Sequence, residues 1–366
     1  MNASNPEKAV LVGVKSNNRN GYNFESSLEE LRGLIEAAGG EVIGTLVQAK
    51  DRPNTATYIG KGKLEELGHL VAELEPDLVV FDSELSPVQL RNLEQALDTR
   101  IIDRTMLILD IFGQRARSSE GILQVELARL EYRLPRLIGR GVEMSRIGGG
   151  IGARGAGEQK LELDKRHIRN RIKDIKKQMQ KVESTRQLHR KQRQRVGLNT
   201  ISLVGYTNAG KSSLFNALCR SAHRSGSEQV EADERLFQTL DTTTRKIVLP
   251  SGREILITDT VGFIQNLPHH LVAAFRSTLE EAIDAGTLLH VVDVSDLDYL
   301  EKIEVVEKVL VGLGADMERI MTVFNKADRI ESIPGGANSG LFVSATNGTG
   351  IQNMLNLLEE RFTALR

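Results

Sequence analysis

Four short stretches of this 366-residue chain hold residues whose types and spacing suit phosphate chemistry. In Gly205-Tyr206-Thr207-Asn208-Ala209-Gly210-Lys211-Ser212, two glycines, a lysine and a hydroxyl stand at the P-loop spacing. An apolar run, Ile201–Val204, precedes it and a helical one, Leu214–Leu218, follows. Glycines let successive backbone N–H groups surround a phosphate chain at a helix N-terminus, and Ser213 extends that first turn. Lys211 would neutralise the β- and γ-phosphates, and the Ser212 hydroxyl would coordinate Mg2+. Downstream, the strand Ile255–Asp259 runs into Asp259-Thr260-Val261-Gly262. There a carboxylate can hold the magnesium shell and the Gly262 N–H can meet a γ-phosphate. After the strand Met321–Phe324 comes Asn325-Lys326-Ala327-Asp328. A carboxylate at that point accepts from guanine N1–H and N2–H2, a donor pair that adenine lacks. The strand Leu341–Val343 then leads into Ser344-Ala345-Thr346, whose backbone can meet guanine O6. All four motifs fall at strand ends, where ligands bind in α/β sheets.

Three regions must position these residues. In the first, residues 1–112, short apolar runs (Ala9–Val14, Glu41–Val47, Asp77–Phe81, Arg100–Asp103) alternate with helical patterns. One helix opens at Ser27 with a capping-box spacing to Glu30, one begins near Gly62, and one is spaced by Leu90, Leu93 and Leu97. Alternating βα units predict a small α/β domain around a mainly parallel sheet. In the second, residues 113–196, Leu123, Leu127, Leu130 and Leu134 recur at helical spacing until Pro135, which is expected to interrupt the helix. Ile168, Ile172, Ile175, Met179 and Val182 repeat the rhythm, predicting an antiparallel, coiled-coil-like helical hairpin. Its connector has six glycines within residues 148–157. The third region, residues 197–366, predicts a Ras-like P-loop domain with a mixed six-stranded sheet. Charge separates along the chain: residues 133–195 hold 19 Lys and Arg against 6 Asp and Glu, while the remainder holds 29 against 43. A basic segment in an otherwise acidic chain points to a polyanionic partner, a solvated helical face being the plainer alternative.

Over its whole length the chain resembles the HflX family of translation-associated P-loop GTPases. The resemblance rests on Tyr58-Ile59-Gly60-Lys61-Gly62-Lys63, on the stretch from Asp103 to Asp110, and on Gln124–Leu127 and Leu134–Leu137. It continues through Gly148–Gly152, Gly155–Glu158, the spelling of residues 205–212, and Asp259–Ile264. It implies GTP hydrolysis to GDP with Mg2+, coupled to binding of the large (50S) ribosomal subunit, and roles in ribosome splitting, rescue or recycling. The basic hairpin would then be the ribosomal RNA contact. In that family the magnesium-binding switch threonine lies in a stretch matched by Phe237-Gln238-Thr239-Leu240-Asp241. The resemblance therefore assigns Thr239 beside Ser212 as a metal ligand, and Lys211, Thr239 and Gly262 as the groups acting on the transferred phosphoryl. Thr242, Thr243 and Thr244 are rivals by residue type. Residues 225–232 look inserted relative to familiar members, and the extra C-terminal domain of some members is not matched. In Ras-like enzymes a glutamine just after the Asp-x-x-Gly glycine orients the attacking water. Here that position is Phe263, with Gln265 two residues beyond.

Composition narrows the remaining choices. A single cysteine, Cys219, excludes an internal disulfide framework and a cysteine zinc cage, and is expected to be a packing residue. No apolar run approaches the ~20 residues of a membrane span. A cytoplasmic monomer is expected, without integral membrane insertion, peripheral association being left open. His269 and His270 read as surface residues, and His167 and His189 have no metal-ligand partners in sequence. The Gly-Lys-Gly turn at residues 60–62 is weak evidence for a second nucleotide site. Three other functions fit the same residues: a ribosome-assembly or RNA-modification GTPase, an ATP-dependent RNA remodeller working through the N-terminal domain, and a signalling switch whose hairpin binds protein.

Overall fold

A computed structural model describes residues 6–15, 23–145, 156–196, 199–222, 236–237, 240–265, 279, 283–332 and 340–364. The glycine-rich connector, residues 225–232, Gln238, Thr239, His269 and His270 therefore lie outside the described residues. The chain forms two compact units, one of Met1–Gln114 with Ile122–Lys181, the other of Arg115–Gly121 with Val182–Arg366. The region expected to be helical, residues 113–196, contributes residues to both units.

The first unit is built on a four-stranded, all-parallel sheet of β1 (Glu7–Lys15), β2 (Gly40–Ala49), β3 (Leu78–Phe81) and β4 (Arg100–Asp103), in the order β2-β1-β3-β4. The central strands are apolar runs because helices cover both faces of such a sheet. Val10, Val12, Val79 and Phe81 are buried with Leu67 of α2 (Lys61–Leu74) and Leu93 of α3 (Pro87–Leu97). Helix α3 opens as its sequence dictates, with Pro87 in the first turn and a reciprocal Ser86–Gln89 capping box.

Helix α1 (Phe24–Ala38) corrects the expected start. Asn23 is the cap, accepting from the Ser26 N–H, so the helix begins before Ser27. The Ser27 hydroxyl instead donates to Asp82, and Glu30 pairs with Arg104, so the apparent capping box is committed to tertiary partners. Helix α4 (Arg104–Arg115) follows β4, and α5 (Ser119–Ser145) follows α4.

Pro135 lies inside α5, contrary to the expected interruption. It removes one backbone donor at an exposed position, where water can hydrate the freed carbonyl. Arg136 Nη1 donates to the neighbouring Tyr132 carbonyl at 3.0 Å, which helps hold the turn. Helix α6 (Ala156–Val196) is joined to α5 by the ion pairs Glu126–Arg171 and Glu131–Lys176. Of its predicted apolar stripe, Ile175 is fully buried and Ile168, Ile172 and Met179 are half-buried.

In the second unit the sheet runs β10-β9-β8-β5-β7-β6. Its strands are β5 (Asn199–Gly205), β6 (Thr243–Val248), β7 (Glu254–Asp259), β8 (Thr287–Asp293), β9 (Ile320–Asn325) and β10 (Leu341–Phe342). Only the β6–β7 pair is antiparallel, giving the mixed six-stranded sheet that was expected. Helices α7 (Lys211–Ala222) and α9 (Ile351–Ala364) bury Leu214, Leu218, Met354 and Leu358 against Ile201, Leu203, Ile257 and Val291. Cys219 belongs to that core, as expected of a packing residue. Helix α8 (Tyr299–Gly312) follows β8. No helix among the described residues is long and apolar enough to cross a membrane.

Candidate nucleotide site

Strand β5 delivers the loop 205–212 at its carboxyl end, and two positions there require glycine. Gly205 has φ +151°, and a Cβ on it would collide with the Val291 carbonyl. Gly210 has φ +85°, and a Cβ there would collide with the Asn325 amide. Asn208 holds φ +59°, a left-handed conformation that its short polar side chain tolerates. Thr207 and Ala209 are buried, and Ser213 is half-buried in the first turn of α7.

Lys211 opens α7, and its ammonium turns back into the loop. Nζ lies 3.2 Å from the Gly205 carbonyl and 2.8 Å from that of Tyr206. Burial lowers its pKa to about 8, opposed by the attraction of the Asp259 carboxylate. A buried cation with carbonyl partners and, among the described residues, no contacting carboxylate suits an incoming polyanion. Ser212 Oγ donates to Asp259 Oδ2 at 2.6 Å, bringing together the hydroxyl and the carboxylate expected around magnesium. Hard oxygen donors of these two kinds are what Mg2+ prefers.

The Asp259–Gly262 stretch is sewn to the phosphate loop. The Thr260 hydroxyl donates to the Leu203 carbonyl at 2.6 Å. Thr207 N–H donates to the Phe263 carbonyl at 2.7 Å, and Phe263 N–H to the Gly205 carbonyl at 3.1 Å. A Cβ on Gly262 would stand 2.7 Å from Thr207 Cα and 2.9 Å from Lys211 Nζ, so only glycine brings this backbone so near the lysine. Val261 is buried, as is Phe263, whose ring has no group to align a water. Gln265 is buried too, its N–H held by the Tyr206 hydroxyl at 2.7 Å.

The motifs expected to read the base come together at the ends of β9 and β10. Asn325 Nδ2 donates to the Ala209 carbonyl at 2.9 Å, and its Oδ1 accepts from Ala345 N–H at 3.1 Å. One side chain thereby ties three of the four motifs together. Lys326, at φ +61°, pairs with Asp293 at 2.7 Å; Ala327 N–H donates to the Val343 carbonyl, and Asp328 is exposed at this end. Ser344 is buried, its hydroxyl accepting from Asn347 N–H at 3.3 Å, and Thr346 is exposed.

The Phe237–Asp241 stretch divides. Phe237 is buried at φ +54°, its N–H donating to the Thr207 hydroxyl at 3.0 Å. Leu240 is buried. The Asp241 carboxylate accepts at 2.8 Å from the N–H of both Arg117 and Ser118, and also from the Ser118 hydroxyl. Sequence reading missed Arg117, Ser118 and Asp293. Only Asp293 carries a usable signal, as an acid ending an apolar strand.

Comparison with known proteins bears directly on this arrangement. Residues 25–113 match a family model described as the N-terminal part of GTP-binding GTPases, and 115–193 one described as their middle region. Residues 200–326 match the model of a 50S ribosome-binding GTPase. The GTPase HflX of Caldanaerobacter subterraneus is 52% identical over 357 residues, covering 98% of this chain and 81% of that protein. The chain belongs to the HflX family. It is also 40% identical to the Escherichia coli GTPase HflX over 364 residues, covering 98% of this chain and 83% of that one. A GTP-binding protein from Sulfolobus solfataricus, solved with GDP, shares the fold at a TM-score of 0.50 and 23% identity, covering 98% of this chain and all of that one. This HflX-family chain is accordingly a P-loop GTPase that binds GTP and GDP and hydrolyses GTP.

Proposed function

We propose that this GTPase binds the large ribosomal subunit and couples its nucleotide cycle to ribosome splitting, rescue or recycling in the cytoplasm. The observation that carries the reading is a charged stripe on α6. Arg166, Arg169, Lys173 and Lys177 recur at helical spacing, all exposed, on the face opposite Ile168, Ile172 and Ile175. A helix that seats one face by apolar contact and offers cations on the other suits a phosphate backbone. The description of the matched model as a 50S ribosome-binding GTPase supports the same partner.

Mg2+ would be held by Ser212 with Asp259 beside it, and by Thr239 from the switch stretch. When bound it neutralises charge on the β- and γ-phosphates. Lys211 and the loop N–H groups orient the phosphates and stabilise charge on the transferred group. Guanine would be read by Asp328, with Asn325 bracing the loop behind it. With Phe263 buried where an orienting glutamine would stand, the protein alone should hydrolyse GTP on the order of 10⁻⁴ to 10⁻³ s⁻¹.

Gradient co-sedimentation with large subunits, in GDP, GTP and a non-hydrolysable GTP analogue, tests the partner. The GTP forms should bind more tightly, and added subunits should accelerate single-turnover hydrolysis. Replacing Arg166, Arg169, Lys173 and Lys177 by Gln should weaken binding and flatten the log–log salt dependence by roughly 3. An unchanged salt slope would return α6 to a solvated face.

A further inference from the structure

We propose that Asp293 is a positioning residue for the nucleoside: by pairing with Lys326 it fixes the lysine's methylene stem between the phosphate loop and Asp328. The proposal rests on the reading of Asp328 as the carboxylate that recognises the base. It adds a residue that sets affinity rather than the choice of base.

Asp293 closes β8 and Asn325 closes β9, and the two are register partners. Just beyond them the Val294 N–H donates to the Asn325 carbonyl at 3.1 Å, so the strand ends stay joined up to the turn. Lys326 then takes φ +61°. A residue with a side chain rarely adopts that left-handed conformation unless its surroundings hold it there. Here Asp293 Oδ2 holds the ammonium at 2.7 Å. On the other side of the turn, the Ala327 N–H donates to the Val343 carbonyl at 3.1 Å.

The carboxylate is itself oriented. Its Oδ1 accepts the Ser295 N–H at 3.1 Å and the Ser295 hydroxyl at 2.6 Å, which leaves Oδ2 toward the lysine. The Lys326 and Asp293 side chains are 15% and 18% exposed, so salt and water screen their attraction only weakly.

Lys326 therefore differs from Lys211. The phosphate-loop lysine meets main-chain carbonyls, whereas the charge of Lys326 is already met by a carboxylate. What Lys326 offers a ligand is its stem. That stem runs past the phosphate loop, since a Cβ on Gly210 would stand 4.0 Å from Lys326 Cε. A nucleotide with its phosphates in that loop and its base at Asp328 must lay its nucleoside across these methylenes. An aliphatic stem gives apolar contact to any purine or ribose face and does not distinguish one purine substituent from another. Released from Asp293, the same stem would have rotamers to lose on each binding event.

Equilibrium titration and stopped-flow release of GDP and inosine diphosphate from the full chain test this. Asp293→Asn should raise both dissociation constants by the same factor, roughly tenfold, through faster release. The ratio between the two ligands should stay as in wild type. Ser295→Ala, which keeps the main-chain N–H, should show a smaller part of the same effect. In a Lys326→Met background, where the stem has no charge to be held by, Asp293→Asn should add nothing. Unchanged affinity in Asp293→Asn would overturn the proposal. So would a loss that multiplies with that of Lys326→Met, which would mean that Asp293 only supports the fold. Failure of the underlying base reading looks different, because the wild type would then bind ADP as tightly as GDP.

Discussion

At the carboxyl edge of the N-terminal sheet, Asp82 at the end of β3 meets Ser27 and Arg104, and Arg104 also pairs with Glu30. Asp103 at the end of β4 accepts from Leu85 N–H at 2.9 Å and from the Tyr132 hydroxyl at 2.5 Å, with Arg136 alongside. At the same edge of the second sheet, β5 ends in a glycine loop around a buried lysine whose hydrogen bonds among the described residues go to main-chain carbonyls. Topology places a crevice at the carboxyl edge of both sheets. The first unit fills it with its own ion pairs; the second leaves it for a ligand's charge. A strand-end carboxylate thus means little until its partners are known.

The comparison breaks most forcefully at Arg104, which is 2% exposed. Arg104→Ala strips Asp82 and Glu30 of their cation inside the protein, and breaking such a pair costs about 3–5 kcal/mol. Urea unfolding should show that loss in the first unit, while GDP affinity, measured under native conditions, stays unchanged. If GDP affinity fell in step with stability, the two edges would not be independent.

The same contrast explains what could be read from sequence. The P-loop, Asp259–Gly262 and Asn325–Asp328 are legible because each is a local pattern of backbone freedom and charge at a strand end. Ser27 and Glu30 also formed a correct local pattern, yet Asp82 and Arg104, distant in sequence, outbid the helix terminus for both side chains. Pro135 reads as a stop, but α5 tolerates it at an exposed position where only one donor is lost. Asp241 belongs to a nucleotide-site motif by spelling, and its carboxylate is turned to Arg117 and Ser118, more than 120 residues earlier. No periodicity announces such a contact.

A smaller effect separates the edges by pH. His290, on β8 opposite Val204, is 1% exposed, and among the described residues its Nδ1 has no partner. Burial, aided by the nearby Lys211 charge, lowers its pKa to about 4. The unfolded chain therefore binds a proton more readily than the folded one between pH 6.5 and 4, and stability falls as pH drops through that window. Wild type should lose ~2 kcal/mol more than His290→Leu between pH 7 and pH 5. Equal losses in the two proteins would show that His290 is solvated or paired in solution.

The smallest expected effect concerns the Gly-Lys-Gly turn at residues 60–62, the one feature of the first unit that imitates the second. The Gly60 N–H, a candidate phosphate donor, is already taken by Gln48 Oε1 at 2.8 Å. Gly60 has φ −71°, a conformation open to any residue, so the turn lacks the backbone demand seen at Gly205 and Gly210. Lys63 pairs with Glu66 along the exposed side of α2 at 2.9 Å rather than turning into a loop as Lys211 does. An exposed i,i+3 pair of this kind is worth under about 0.5 kcal/mol. Replacing Lys61 and Lys63 together by Ala should therefore shift the unfolding midpoint hardly at all and leave nucleotide titrations superimposable on wild type, with ATP as with GTP. An ATP-binding isotherm that survives Lys211→Ala and disappears with the Lys61 and Lys63 pair would show the reverse: that the turn exchanges Gln48 for phosphate, and that the first edge is closed only until a ligand competes for it.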